Sequence, residues 1–173
     1  ILVVGSINMD LVVRSPHIPA PGETVLGSGF KTSFGGKGAN QAVAVSRLGG
    51  KCHLIGRVGG DAFGPDLLDN LRKEKVDIFA VATSDDEYTG VALIIVDSNG
   101  ENSIVVASGA NFRVTPDDVF RHESLFKQAA VVLLQLEPPL PTVRAAINLA
   151  RKHGCKIILD PAPAISPMPE DIC

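Results

Sequence analysis

A glycine-rich segment with one lysine and one asparagine, GGKGAN at 35–40, is the first candidate for chemistry in this sequence. A small-residue helical pattern follows it, so the segment is predicted to lie at the start of a helix. Free backbone N–H groups at a helix N-terminus, with no side chains in the way, suit the binding of hydroxyl or phosphate oxygens. Lys37 adds a donor, and Asn40 can donate and accept. The alternative interpretation is a turn that only caps the helix.

Gly36 is expected to direct its N–H toward a ligand, so that a side chain at this position would occupy ligand space. A side chain would also penalise a left-handed backbone, if the chain uses one here. Two better-known glycine motifs do not fit the segment. Lys37 is not followed by the Ser or Thr that a phosphate-binding P-loop requires. The turn after the first apolar strand reads GSIN at 5–8, which lacks the GxGxxG of dinucleotide-binding proteins.

Polar residues follow two of the predicted strands. Asn8 and Asp10 come after the first apolar run, at the strand end where open α/β sheets bind their ligands. An Asp there can accept hydrogen bonds from two neighbouring hydroxyls, as polyol recognition requires. The alternative for this pair is an ordinary turn. Glu137 follows the apolar run 131–136, where a lone Glu before two prolines would otherwise be a loop residue.

The elements that position these residues follow an alternating order. Short apolar runs predict buried strands, and segments with apolar residues at helical spacing lie between them. The strands are predicted at 1–4, 52–58, 79–83, 130–136 and 156–160, and the helices at 36–48, 65–75, from 115, and at 141–153. This order favours an α/β fold with a Rossmann-like, mostly parallel sheet flanked by helices.

Two polar, β-rich excursions at about 11–34 and 88–108 do not fit that sheet and predict a separate small β-lid. Within the first, 22–34 is expected to form exposed antiparallel strands. Within the second, the turn signal DSNG at 97–100 predicts a hairpin of 91–96 with 102–108.

Length and composition exclude several classes of protein. The 173 residues fit one domain, and 45% hydrophobic and 20% charged residues are ordinary globular values. A net charge of −3 favours neither a nucleic-acid partner nor a membrane partner. No apolar run approaches the ~18 residues of a membrane span. Three cysteines without a CxxC pair indicate a reduced, cytoplasmic protein, and the four histidines share no metal-ligand spacing.

Taken in order, these segments resemble the phosphofructokinase-B-type carbohydrate kinases, which have the ribokinase-like fold. The stretches that carry the resemblance are GSINMD at 5–10, PGETV at 21–25, FGGKGANQA at 34–42, TGVALI at 89–94, GAN at 109–111, QLE at 135–137 and PAPA at 161–164. The GGKGAN form is more specific than the general double-glycine motif of this family, because fructokinases and adenosine kinases usually differ at the lysine.

The resemblance implies transfer of the ATP γ-phosphate to the 5-hydroxyl of D-ribose, with Mg²⁺ and a monovalent cation, K⁺, as cofactors. The positions that match sugar ligands of the family are Asn8, Asp10, Gly36, Lys37, Asn40 and Glu137. Ala92 and Ile104 match apolar lid positions near the sugar. Lys37 is interpreted as a positioning donor, because an unshifted lysine is protonated at pH 7. The lid is expected to pair with that of a second subunit, giving a homodimer.

The resemblance also implies that 1–173 is the N-terminal, sugar-binding portion of a longer protein. The GAGD motif of the family, which supplies the catalytic Asp, and its nucleotide and cation contacts match nothing in this sequence. No catalytic or metal-binding residue is therefore assigned here, and 1–173 alone is expected to be inactive. Two alternatives stay open: a related sugar or nucleoside kinase such as a deoxyribokinase, and a non-catalytic sugar-binding fragment.

Overall fold

The computed structural model describes residues 1–172, and Cys173 lies outside the described residues. The chain forms two sheets. The strands are β1 (Leu2–Val4), β2 (Asn8–Arg14), β3 (Ser28–Gly35), β4 (His53–Gly59), β5 (Val81–Ser84), β6 (Gly90–Val96), β7 (Asn102–Ala107), β8 (Val131–Leu134) and β9 (Lys156–Leu159). The α-helices are α1 (Lys37–Arg47), α2 (Phe63–Lys73), α3 (Pro116–Arg121), α4 (Glu123–Gln128) and α5 (Leu140–Lys152), and a 3-10 turn spans Gly109–Arg113.

The larger sheet has the strand order β5-β4-β1-β8-β9, and every neighbouring pair in it is parallel. Its central strands β1 and β8 consist only of apolar residues, because helices cover both faces of the sheet there. Leu2 and Val4 pack in one cluster with α3, α4 and α5, whereas Val3 points to the opposite cluster with α1 and α2. This architecture confirms the predicted α/β fold with helices on both faces of a mostly parallel sheet.

The smaller sheet has the order β3-β2-β6-β7 and combines strands from both β-rich excursions. Strands β2 and β6 run parallel, whereas β3 and β7 are antiparallel additions at the two edges. The predicted hairpin is present, since β6 pairs with β7 and Asp97 Oδ1 accepts from the N–H groups of Asn99 and Glu101 in the turn. We call these four strands the small sheet.

One segment of the small sheet differs from its prediction. Residues 15–27 form a loop, so the antiparallel strand expected over 22–34 is confined to Ser28–Gly35. Glu23 ties the beginning of this segment into the loop, because its carboxylate accepts from the Ala20 N–H and contacts His17 Nε2, both at 2.9 Å. Gly22 then turns the chain with a φ of 82°.

Within residues 1–172, no helix has the length and apolar character needed to cross a membrane. Cys52 and Cys155 are buried free thiols. Burial raises the pKa of the Cys52 thiol to about 11, so this group stays protonated at neutral pH.

Candidate functional site

A cavity of about 140 Å³ lies where the two sheets meet, beside the start of β2 and the start of α1. Its lining residues are Asn8, Asp10, Gly36, Lys37, Asn40, Ala92, Ile94, Ile104, Val106 and Glu137. The structure thus brings together all eight residues singled out from the sequence, although they come from five separate parts of the chain. Their roles in binding stay predictions.

A larger hollow of about 530 Å³ lies elsewhere, between the start of β6 and the 3-10 turn. Its two charged side chains bind each other, because Arg113 Nε donates to Glu87 Oε2 at 3.1 Å. The smaller cavity instead contains a carboxylate with no donor among the described residues, that of Asp10. We therefore take the smaller cavity as the candidate site.

Asp10 lies in β2 of the small sheet rather than at the end of β1, where the sequence placed it. Its carboxylate sits over Gly35, and a Cβ on that glycine would collide with both carboxylate oxygens. Burial raises the pKa of Asp10, the nearby Glu137 raises it further, and Lys37 opposes both. No donor among the described residues binds the two oxygens of Asp10, so the ionised carboxylate can accept hydrogen bonds from a ligand.

Glu137 follows β8 and is held by groups at the start of α1 and by the β1–β2 turn. Ser6 Oγ donates a short hydrogen bond to Glu137 Oε2, and the Lys37 N–H donates to the same oxygen at 3.2 Å. The Lys37 ammonium lies 3.4 Å from Glu137 Oε1. A carboxylate at a helix N-terminus is also favoured by the helix dipole. These contacts fix the Glu137 side chain on one wall of the cavity.

The expectation of free N–H groups at the start of α1 is wrong. The first four N–H groups of the helix donate, in order, to Glu137 Oε2, Ser6 Oγ, the Ser6 carbonyl and the Gly36 carbonyl, at 3.2, 3.4, 2.9 and 2.8 Å. Because the protein itself satisfies these groups, the helix start has no vacant anion site of the kind predicted. Gly36, Lys37 and Asn40 line the cavity, and the Gly36 N–H, just before the helix, has no acceptor among the described residues.

Of the two reasons expected for glycine at position 36, the left-handed backbone is confirmed and the ligand space is not. Gly36 precedes α1 with a φ of 91°, and an added Cβ would lie 2.7 Å from both Asn8 N and the Ser6 carbonyl oxygen. A side chain here would therefore collide with the β1–β2 turn instead of filling ligand space. Gly36 lines the cavity, but its glycine character serves the close approach of two backbone segments.

Four of the residues that line the cavity are apolar. Ala92 and Ile104 are among them as expected, together with Ile94 and Val106, which the sequence reasoning did not name. Asp10 pairs with Ala92, Ala92 with Val106, and Ile94 with Ile104, so all of these side chains share one face of the small sheet. The period-2 alternation in β6 and β7 was the signal that could have identified Ile94 and Val106.

Three further residues support the site and were missed. Ser6 orients Glu137, Gly35 leaves room for Asp10, and Asn111 binds Asn8. Ser6 and Asn111 stand in the stretches GSINMD and GAN, which the resemblance included without giving these two residues a role. Their partners lie far along the chain, so only the folded structure shows what they do.

Together these groups form a small cavity with donors, acceptors and an apolar wall. Asn8, Lys37 and Asn40 can donate hydrogen bonds, and Asp10 can accept them from hydroxyl groups. The apolar side chains can pack on C–H groups. This combination suits a small polyol, whose hydroxyls donate and accept along a carbon chain or ring. Within residues 1–172, no group of three or more His, Cys, Asp or Glu side chains is placed to hold a metal ion.

Comparison with known proteins gives the family. The sequence model of the pfkB family of carbohydrate kinases matches residues 1–172. The chain belongs to the pfkB family of carbohydrate kinases. The cavity described above is therefore the candidate sugar site of a pfkB-family chain.

Proteins similar to this pfkB-family chain include two curated kinases. The chain is 44% identical over 178 residues to the ribokinase of Schizosaccharomyces pombe, which covers 99% of this chain and 56% of that protein. It is 39% identical over 165 residues to the deoxyribokinase of Salmonella typhi, with 95% of this chain and 54% of that protein covered. The chain thus spans about half the length of the curated relatives it matches.

The fold of this pfkB-family chain matches solved structures equally well. The structure of Arabidopsis thaliana ribokinase complexed with ribose and ATP superimposes with a TM-score of 0.87 and 33% sequence identity. The superposition covers 99% of this chain and 56% of that one. The small sheet and the cavity therefore belong to a fold that is shared with ribokinases over the whole described chain.

Proposed function

We propose that the whole protein transfers the γ-phosphoryl group of ATP to the 5-hydroxyl of D-ribose, and that 1–173 carries its sugar-binding part. The observation that carries this proposal is the convergence of Asn8, Asp10, Lys37, Asn40 and Glu137 on one small cavity with an apolar wall. The ribokinase of Schizosaccharomyces pombe, at 44% identity, and the ribose and ATP complex of Arabidopsis thaliana ribokinase support the choice of ribose.

The residues of this chain bind and orient the sugar. Asp10 accepts hydrogen bonds from sugar hydroxyls, and the Asn8 and Asn40 amides donate to sugar oxygens. Lys37 is paired with Glu137, and we propose that both groups contact the sugar from the same wall. Ala92 and the apolar side chains around it cover the C–H face. Such a site fixes the sugar so that one hydroxyl faces the phosphoryl donor.

ATP, Mg²⁺ and K⁺ are part of the proposal, but we assign none of them to the described residues. ATP supplies the phosphoryl group, and cations commonly neutralise charge on that group during transfer. Residues 1–172 hold no cluster of three or more His, Cys, Asp or Glu that would fit a metal ion. The catalytic Asp that the resemblance implies, in a GAGD motif, matches no residue of 1–173.

A deoxyribokinase is the second candidate, because the deoxyribokinase of Salmonella typhi is 39% identical to this chain. Its substrate lacks one hydroxyl that ribose has. The two candidates are separated by the ratio of kcat/KM for ribose and 2-deoxyribose, measured on the whole protein with ATP in a coupled ADP assay. We expect ribose to be favoured. A preference for 2-deoxyribose would select the second candidate, and turnover with neither sugar would overturn both.

We further propose that the whole protein is a cytoplasmic homodimer, associated through the small sheet. Large apolar side chains lie exposed there, with 68% exposure for Phe30, 52% for Leu93 and 65% for Val105. Leu93 and Val105 are directly paired across β6 and β7, so they form one continuous patch. A small sheet with an apolar face of this kind is normally covered by a partner. The free, buried thiols of Cys52 and Cys155 support a reducing compartment.

A further inference from the structure

A buried side-chain pair behind the cavity controls which atoms of Asn8 face it. Asn111 lies in the 3-10 turn and is 2% exposed, and Asn8 is 3% exposed. Asn111 Nδ2 donates to Asn8 Oδ1 at 2.7 Å. The two residues are 103 positions apart, and their contact joins the beginning of β2 to the 3-10 turn that follows β7.

The backbone of Ile7 fixes the orientation of the Asn111 amide. The Ile7 N–H donates to Asn111 Oδ1 at 2.8 Å, and the Ile7 carbonyl accepts from Asn111 Nδ2 at 3.1 Å. A backbone N–H can only donate and a carbonyl can only accept, so the amide cannot be turned round. The second hydrogen of Nδ2 is therefore the one that binds Asn8.

This bond determines the polarity of Asn8 at the cavity. Its Oδ1 is occupied by Asn111, so its Nδ2 is the group left for the cavity that Asn8 lines. Within residues 1–172, Asn8 Nδ2 has no hydrogen-bond partner. Asp10, two residues further along the same strand face, presents only acceptors when ionised. A hydroxyl that accepts from Asn8 and donates to Asp10 satisfies both.

Gly90 gives independent support for the importance of this bond. It lies directly opposite Asn8 in the pairing of β2 with β6. A Cβ on Gly90 would collide with both Asn111 Nδ2 and Asn8 Oδ1, the two atoms of the bond. Only glycine leaves the space in which the pair can form.

We propose that Asn111 is a positioning residue for substrate specificity, which makes Asn8 a donor toward the cavity and thereby selects a sugar with a hydroxyl at that place. The proposal rests on the proposed binding of a sugar in this cavity. Asn111 itself does not line the cavity, so its effect passes through Asn8. A purely structural role would instead change stability and leave sugar affinity alone.

The test uses the whole protein and two isosteric changes. Asn111→Asp removes the donor to Asn8, so Asn8 turns its amide toward the new carboxylate and presents an acceptor to the cavity. Asn8→Asp also presents an acceptor but leaves the bonds between Asn111 and Ile7 intact, so it tests polarity even if the first variant folds poorly. Each should raise the KM for ribose about tenfold or more, with the KM for ATP within twofold of wild type.

Thr142→Val is the matched control. Thr142 is fully buried and donates to the Val114 carbonyl at 2.6 Å, away from the cavity. This variant should lower the Tm, because it removes a buried hydrogen bond, and it should leave the KM for ribose unchanged. The ribose-induced rise in Tm, measured without ATP, gives a second readout of binding that does not depend on turnover.

The outcomes separate the two proposals. Wild-type protein that neither turns over nor is stabilised by ribose or 2-deoxyribose would overturn the proposed function and this inference with it. Normal wild-type activity, together with an Asn8→Asp variant that binds ribose as wild type does, would overturn the inference alone. An Asn111→Asp variant that loses Tm but keeps its ribose KM would also overturn it.

Discussion

Replacing Asp10 by Asn separates the binding role of its carboxylate from its effect on folding. The change keeps the size of the side chain, which must lie over Gly35, and removes its charge and one acceptor. In the folded chain burial raises the pKa of Asp10, with a further contribution from Glu137 against that of Lys37. The ionised carboxylate is thus less favourable in the folded state than in the unfolded one, and it lowers stability at neutral pH. Asp10→Asn is therefore expected to leave the Tm unchanged or to raise it.

The same change should strongly weaken sugar binding. A hydrogen bond between a hydroxyl and a charged carboxylate contributes about 1.5–3 kcal/mol. Loss of one such bond corresponds to a rise in the ribose KM of roughly 10- to 150-fold. The KM for ATP should stay within about twofold, since no nucleotide contact is assigned to this residue. The assay is a coupled measurement of ADP formation by the whole protein, with ribose and ATP varied in turn.

Asp69→Asn is the matched control, because Asp69 is an exposed residue of α2 whose one ionic partner among residues 1–172 is Arg72. It should change neither KM. A wild-type KM for ribose in Asp10→Asn would refute the reasoning and remove Asp10 from the site. A fall in Tm in step with the loss of affinity would show that the carboxylate acts through the fold.

Three further predictions concern pH, a glycine and the oligomeric state. Because the pKa of Asp10 is raised, ribose affinity should fall as the pH drops through that pKa, and this fall should begin at a higher pH than for an ordinary Asp. Protonation of Asp10 should at the same time remove its unfavourable effect on the stability of the folded state. Titration calorimetry with ribose in the acidic range would detect the loss of affinity. Gly36→Ala should lower the Tm far more than Gly49→Ala. Both glycines have a positive φ, but only a Cβ on Gly36 would collide with neighbouring backbone atoms. Equal melting temperatures of the two variants would contradict this. The whole protein should be dimeric in light scattering at micromolar concentration. Leu93→Lys should shift it to monomer, whereas the control Leu48→Lys, at a residue that is 89% exposed, should leave it dimeric.

The sequence was sufficient for features that depend on local patterns. Continuous apolar runs located the five strands of the larger sheet, and the Thr115-Pro116 signal marked the start of α3, where Thr115 and Asp118 form a capping box. Eight of the residues that line the cavity were also named from the sequence, by motif, by position after a predicted strand or by the family resemblance, whereas Ile94 and Val106 were not.

Features that depend on the direction of a bond could not be predicted. Whether the helix N–H groups were free depended on Ser6 and Glu137, which reach α1 from distant segments. The effect of a Cβ on Gly36 depended on the backbone of Ser6–Asn8 behind it, not on the cavity in front. Periodicity fixes the face of an element on which a residue lies, but not the partner of each polar group.

The site lies at the end of the small sheet that is most strongly attached to the larger one. Asp61 Oδ2 accepts from Thr89 N at 2.8 Å and its Oδ1 from Thr89 Oγ1 at 2.7 Å, immediately before β6 begins. Burial alone would raise the pKa of Asp61, but these bonds and two more from backbone N–H groups bring this pKa below its usual value. The bonds between Asp61 and Thr89 are therefore retained until the pH falls below the range in which an ordinary Asp is protonated. Asn111 holds β2 in the same way through Ile7 and Asn8. Both parallel strands thus enter the small sheet through fixed points next to the cavity, whereas Arg14 at the far end of β2 is exposed and Val96 at the far end of β6 is only partly buried. In the proposed function, the two strands that carry Asn8, Asp10 and Ala92 are therefore anchored beside the cavity before a sugar arrives.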